Sequence, residues 1–270
     1  MEKYSLRTGL REQTILKEAF FTPPFKLVEV RENKKNPLLE VMVMSSSPGM
    51  LNNDTYDISI EVIPNSYLNL QTQAYQRIYV SEGGTNQVMN VKVGEKAYFS
   101  HVPHPVVPHA GAKYYAENII HLTKSSTLLW GEILTCGRKF MEGNEEFTFK
   151  KHHSLTKVYV DNELVFKDNL YVEPLKINIK DLGLYESYTH QGSLFFLAPD
   201  TDISERIELI YSSLENVEGI DFGISKIRDN AYLLRILGNG GEKLFKIFSK
   251  IRKEEDGLIN ARETELCKQN

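Results

Sequence analysis

Three histidines within nine residues, His101-x-x-His104-x4-His109, form the densest set of metal-binding side chains in the sequence. Imidazole is a ligand for zinc, nickel and copper, and three rings could fill most of a coordination sphere. The segment reads His-Val-Pro-His-Pro-Val-Val-Pro-His, however. Its three prolines keep it extended, so the rings need not converge. It has neither the His-Glu-x-x-His helix nor the spacing of common zinc folds. Surface or packing histidines are the better reading, with transient metal contact the minority one. His152-His153 and His190 read the same way. Neighbours on a strand point to opposite faces, which makes the adjacent pair a poor chelate.

Two acids offer a second chemistry. Asp54 follows a Pro48-Gly49 turn and stands among Asn52, Asn53 and Thr55. Asp168 comes just after a strand and before Asn169. Each could be a buried functional carboxylate, or could cap a turn through its own backbone. On the residues alone, turn chemistry is the better reading for both. Cys136, in Leu-Thr-Cys-Gly-Arg, has no His or Asn beside it and reads as a small buried apolar residue. Gly238-Asn-Gly-Gly lacks the Lys-Ser/Thr ending of a phosphate loop and reads as a turn.

The elements that must position these residues are mostly strands. Residues 1–20 are weakly patterned, and Phe20-Phe-Thr-Pro-Pro-Phe25 cannot be regular helix. From Leu38 to about Val172 alternating runs predict strand after strand. Ile58, Ile60 and Val62 share one face and Leu68, Leu70 and Thr72 another, with Pro64-Asn65 between them as a hairpin turn. Strand–turn–strand segments recur with turns near Asn65, Gly94 and Lys124, about thirty residues apart, which fits stacked units. An ordinary meander fits equally well. Val160-Asp-Asn-Glu163 predicts a tight hairpin. The character changes after residue 200. Asp202-x-x-Glu205 suggests a capping box. Ile203, Ile207, Ile210, Leu214 and Val217 then form one helical stripe that Gly219 can stop. Strands over Phe222–Ile227 and Tyr232–Leu237 follow. A second stripe, Leu244, Ile247, Phe248 and Ile251, leaves Phe245 off its seam. The expected fold is all-β with two flanking helices. It is a single domain over 1–270: a stacked, β-helix-like body over 1–200, a helix–strand–helix region over 201–256 and a fraying polar tail over 257–270.

The net charge of −4 argues against a general nucleic-acid or anionic-membrane binder. The two cysteines, Cys136 and Cys267, form no Cys-x-x-Cys and suit a reducing cytoplasm. No apolar run reaches the roughly 18 residues needed to span a bilayer, and the first residues have no signal-peptide core.

The order of several motifs resembles the urease accessory protein D family. They are Phe21-Thr-Pro-Pro-Phe25, the Ser46–Asp54 turn, Thr72–Tyr79, the Pro-x-x-Pro-x-x-Gly-Ala-Lys-Tyr segment ending at Tyr114, Leu129-Trp-Gly-Glu-Ile-Leu-Thr-Cys-Gly-Arg138, the Val160–Glu163 hairpin, Tyr188-Thr-His190 and Arg235-Ile-Leu-Gly238. The resemblance implies a cytoplasmic, non-enzymatic scaffold with no tightly bound cofactor and nickel in transit through an internal tunnel. It implies accessory proteins F and G and the urease apoprotein as partners, with a homodimer within the complex left open. Asp54 and Asp168 match positions expected along the metal route. Leu214 and Val217, with Phe245 and Phe248, are the expected partner surface. The chain departs from the family pattern in its Pro-Gly-Met-Leu-Asn-Asn-Asp turn, where many relatives are richer in glycine, and in carrying His104 and His109. The alternative is a metal-dependent β-fold enzyme using His101, His104 and His109.

Overall fold

The computed structural model describes residues 1–199 and 201–269, with 258–269 described by backbone alone. The chain opens with β1 (Glu2–Leu10), β2 (Thr14–Phe21), β3 (Phe25–Glu29) and β4 (Leu38–Ser45). It continues through β5 (Thr55–Val62), β6 (Tyr67–Thr72), β7 (Gln76–Ile78), β8 (Thr85–Val93), β9 (Tyr98–His101), β10 (Val106–Pro108), β11 (Lys113–Leu122), β12 (Thr127–Thr135) and β13 (Lys151–Val160). Then come β14 (Glu163–Val172), β15 (His190–Leu197), α1 (Ser204–Leu214), β16 (Ile220–Arg228), β17 (Ala231–Gly238) and α2 (Gly241–Gln269). The fold is all-β with two flanking helices. Among the described residues no helix is long and apolar enough to cross a membrane.

Two sheets face each other. One runs β14-β13-β11-β8-β5-β1-β2 and the other β16-β17-β15-β12-β9-β6-β4-β3, with β7 and β10 as a side branch. From β4 to β13 the long strands alternate between the sheets. Each pairs in parallel with a strand one coil away: β5 with β8, β8 with β11, β6 with β9 and β9 with β12. The thirty-residue period is therefore a stack of coils, and the meander is excluded. The Pro64-Asn65 turn does not close a hairpin, because β5 and β6 lie in opposite sheets. Ile58, Ile60 and Val62 form one wall of a shared core, and Leu68 and Leu70 form the other. Each such side chain contributes roughly 1.5–3 kcal/mol by leaving water.

The turns stack as the strands do. Asn65 N donates to Glu95 O (2.9 Å), Tyr98 N to Ser66 O (3.0 Å) and Thr127 N to Ala97 O (2.9 Å). A Cβ on Gly94 would lie 2.6 Å from Pro64 N, so the successive turns approach closely only with glycine there. The weakly patterned N-terminus is in fact a hairpin that closes this stack. Tyr4, Leu6 and Thr8 point inward, Thr8 Oγ1 lies 2.7 Å from Ser66 Oγ, and Tyr67 N donates to Thr14 Oγ1 (3.0 Å). The Val160–Glu163 hairpin forms as expected, with φ of 48° at Asp161 and 69° at Asn162.

Both helices cover the outer face of the second sheet, over a second core that includes Ile203, Ile210, Leu214, Leu244, Phe248 and Ile251. Phe248 lies over Gly192, where a Cβ would sit 2.7 Å from its ring. The Asp202/Glu205 capping box does not form. The cap falls on Ile203, without a side-chain cap bond, and Asp202 accepts from Ser204 N (2.9 Å) just outside it. Helix α2 continues past Lys253, where a fraying tail was expected, and buried polar contacts hold it as far as Asp256. Asp256 accepts from Tyr98 Oη (2.7 Å) and Ser100 Oγ (3.3 Å) and pairs with Arg252 (3.3 Å), while Glu255 pairs with Arg206 of α1.

Burial raises Asp256 to about 6, with nearby Arg252 and the Tyr98 hydrogen bond opposing the shift. A folded-state value above the unfolded one favours the docked helix in its protonated form. That contribution is present in acid and is lost as pH rises through about 6. Near pH 7.5 the buried charge costs on the order of 2–3 kcal/mol. Asp256→Asn keeps an acceptor for Tyr98 and removes the charge. Thermal unfolding followed by circular dichroism should find this variant more stable than wild type near pH 7.5, the gap narrowing as pH falls through about 6 and closing below about pH 4. Equal stability at the higher pH would mean that Arg252 fully offsets the burial.

Candidate functional site

The histidine-rich segment does not form a cluster. His101, on β9, is buried between the sheets, its Nδ1 2.9 Å from Leu70 O, and burial lowers it to about 4. His104 Nδ1 lies 3.0 Å from Thr72 Oγ1, and its ring stacks on Phe245 of α2 at 4.1 Å. His109 packs on Tyr79 at 4.4 Å and lines a different cleft. Among the described residues no group of three or more His, Cys, Asp or Glu is placed to hold a metal ion. His152 and His153 point to opposite faces of β13: His152 is buried inside, and His153 Nε2 lies 2.7 Å from Asn169 Oδ1 outside. His190 Nδ1 accepts from Gly240 N (3.1 Å), tying β15 to the turn before α2. Cys136 is buried and its thiol is pushed up to about 11, which suits packing and not nucleophilic attack. The Cys267 side chain lies outside the described residues.

The two acids separate. Asp54 Oδ2 accepts from Leu51 N (2.7 Å) in the loop before β5, which is turn chemistry. Asp168 faces inward from β14, where it accepts from Ser193 Oγ (3.1 Å) and Arg235 Nη2 (2.7 Å). The interior holds a third acid that the sequence reading missed. Glu132, on β12, accepts from Trp130 Nε1 (2.8 Å), Asn118 Nδ2 (3.4 Å) and the hydroxyls of Ser154 and Thr156. The period-2 alternation was the available signal. Leu128, Trp130, Glu132 and Leu134 share one face of a strand whose other face carries Leu129 and Ile133. An acid on a strand apolar on both faces is a buried acid.

Four cavities adjoin one another along this interior. The first, about 340 Å³, opens beside Ser45–Met50 and Gln73–Arg77. It shares Tyr4, Thr72, Gln76 and Gln87 with a central chamber of about 90 Å³. There Gln76 Nε2 donates to Gln87 Oε1 (3.1 Å) and reaches Tyr114 Oη at 3.5 Å. The chamber shares Glu132, Ser154 and Leu170 with a neck of about 10 Å³ that also touches Asp168. The neck shares Leu170 and Gln191 with an outer cleft of about 500 Å³ beside Asp221 and Arg235. Gln73 and Gln76 thus line this route, whereas Gln71 points to the outer face and bonds Glu40 (3.2 Å). A larger open cleft, about 770 Å³, lies beside His109 and His190 and shares Tyr75 and Arg77 with the first cavity. Of its three cations, Arg77, Arg138 and Lys139, the last two are paired with Glu145 and Glu146.

The helical residues expected to meet a partner lie deeper than their stripes suggested. Leu214 and Phe248 are buried in the second core, and Val217 and Phe245 are half-buried against it. They therefore hold the helices to the sheet. The apolar side chains that α1 exposes are Leu209 (64%) and Tyr211 (53%).

Glu132 can be tested as the organiser of the interior. Glu132→Ala strands four donors and opens space, so it should destabilise by about 2–5 kcal/mol. Glu132→Gln should cost clearly less, because the Ser154 and Thr156 hydroxyls can rotate to accept from its amide. Chemical denaturation of both variants measures this, and similar losses would deny the carboxylate that organising role.

The chain matches the family model described as UreD urease accessory protein over residues 3–265. It is 42% identical to the urease accessory protein UreD of Flavobacterium johnsoniae, over 94% of this chain and 92% of that protein. It is 31% identical to the UreD of Acetivibrio thermocellus, over 89% and 91%. It is 30% identical to the urease accessory protein UreH of Helicobacter pylori strain J99, over 94% and 96%. With the match running nearly end to end, the chain belongs to the UreD family of urease accessory proteins.

Proposed function

We propose that this protein is a non-catalytic scaffold of urease maturation whose interior conducts nickel toward the urease apoprotein. The observation that carries this reading is the run of adjoining cavities with Glu132 and Asp168 on its walls. Nickel is cargo here. Carboxylate, amide and hydroxyl oxygens can replace its hydration water one contact at a time. With few carboxylates along the way, capture stays weak, as transfer requires. Asp54 acts at one remove, by shaping the loop before β5. The enzyme alternative loses its support, because His109 lies in a separate cleft, while His101 and His104, though both line the central chamber, are held by different partners, Leu70 O and the Thr72–Phe245 pair.

Accessory proteins F and G and the urease apoprotein are the partners in this reading. The face offered to accessory protein F is the outer side of α1, with Leu209 and Tyr211. An apolar patch on a helix is a common docking element.

Two experiments test the proposal. Glu132→Gln combined with Asp168→Asn should leave the accessory complex intact on co-purification while lowering the nickel content of matured urease severalfold. Fully loaded urease would place the route elsewhere. Tyr211→Asp should abolish co-purification with accessory protein F without changing the circular dichroism spectrum. Phe248→Asp should instead unfold the helical layer, because it buries an unpaired charge. Retained capture by the Tyr211 variant would remove α1 from the interface.

A further inference from the structure

Three imidazoles line the central chamber, His101, His104 and His152, and the conduction reading uses none of them; His104 is half-buried and stacked on Phe245, while the other two are buried. His152 points inward from β13 and is 3% exposed, and its Nδ1 is buried without a hydrogen-bond partner. Leaving a buried polar atom unpaired costs roughly 1–3 kcal/mol, so its retention asks for a reason. His101 is oriented from behind. A carbonyl oxygen only accepts, so the 2.9 Å contact to Leu70 O places the proton on Nδ1 and leaves Nε2 with a free lone pair. Ligating histidines characteristically have their second nitrogen fixed in this way. Both rings line the same chamber, as does Glu132. Ser154, two residues along β13 from His152, donates to Glu132 (2.5 Å). His152 and Ser154 are thus two strand steps apart on one face of β13, roughly 6.6 Å along the backbone. Burial keeps both rings uncharged near neutral pH.

We propose that His101 and His152 make the central chamber selective for borderline d-block dications over magnesium and calcium. The inference rests on the passage reading and adds a filter to it. Hard cations prefer all-oxygen surroundings and gain little from imidazole, whereas nickel, copper and zinc bind it well. A cell holds far more magnesium than free nickel, and carboxylates alone would admit either. Two nitrogens are too few to hold the ion permanently, which suits a checkpoint and not a store. The adjacent pair His152-His153 is a poor chelate, as its spacing implies. The partner of His152 is brought instead from another sheet.

The test uses the untagged full-length chain in equilibrium dialysis with Ni²⁺ alone, then with a hundredfold excess of Mg²⁺. Wild type should retain most of its Ni²⁺ against Mg²⁺. His152→Gln and His101→Gln should each lose at least tenfold in Ni²⁺ affinity and become sensitive to Mg²⁺, with unchanged circular dichroism. X-ray absorption of the wild-type Ni²⁺ complex gives a readout that needs no variant: imidazole scattering should be present. Its absence, or folded variants with wild-type selectivity, would overturn the filter. If Glu132→Gln weakens Ni²⁺ binding while both histidine variants leave it unchanged, the filter falls and the passage stands. If the wild-type chain binds no Ni²⁺, both fall.

Discussion

Parallel pairing between successive coils is the constraint on which the rest of the molecule depends. Parallel strands cannot be joined by a tight turn and need a crossover. Here each crossover is itself a strand, laid in the opposite sheet. One coil thus supplies a strand to each wall, and its apolar residues meet across the same core. The turns that join the walls must then stack at the coil spacing. The bonds Asn65 to Glu95 and Tyr98 to Ser66, with the glycine at position 94, meet that demand. The β1–β2 hairpin finishes the stack at one end, through Thr8 and Thr14.

Such a body offers an interior that can be polar in one zone and dry in another. Around Ile60, Val91 and Ile120 the facing side chains fill the gap between the sheets. Farther along β8 and β11, and on β13 and β14 beside them, the inward positions carry Gln87, Asn118, Ser154, Thr156 and Asp168, and the sheets enclose cavities. Glu132 is stable there because four donors converge on it from β11, β12 and β13. A low-dielectric interior makes those hydrogen bonds strong and would make their loss expensive. The zone therefore joins hydrogen-bonding side chains with open space, which conduction of an ion requires and ordinary core packing avoids.

The helices complete the other face of the second sheet at some cost. Leu244 and Phe248 close the second core, with Phe248 seated on the bare backbone of Gly192. Farther along α2, Asp256 is buried against Tyr98 and Ser100, and its carboxyl is pushed upward in spite of Arg252. The gain there is register. One acid meeting two hydroxyls of β9 sets where the long helix crosses the sheet.

The strand-rich body, the two helical stripes, the Asp161-Asn162 turn and the thirty-residue period were all legible in the sequence, because each rests on local alternation or local backbone preference. The family resemblance was legible as well, from motifs in order. Which strands pair was not, because alternation says that a residue faces inward without saying what it faces. The same limit hid β1, whose inward Tyr4, Leu6 and Thr8 are interleaved with charged and polar residues, and made the β5–β6 crossover read as a hairpin. It also governs the candidate site. Asp54 and Asp168 looked alike as acids beside polar residues, yet one bonds its own turn and the other bonds β15 and β17. Glu132 and His152, on β12 and β13 with the loop 136–150 between them, line one chamber only through the β11–β13 pairing and the second sheet across from it. Convergence of this kind is a property of the assembled sheets, because the groups that solvate a buried carboxylate or aim an imidazole come from other coils.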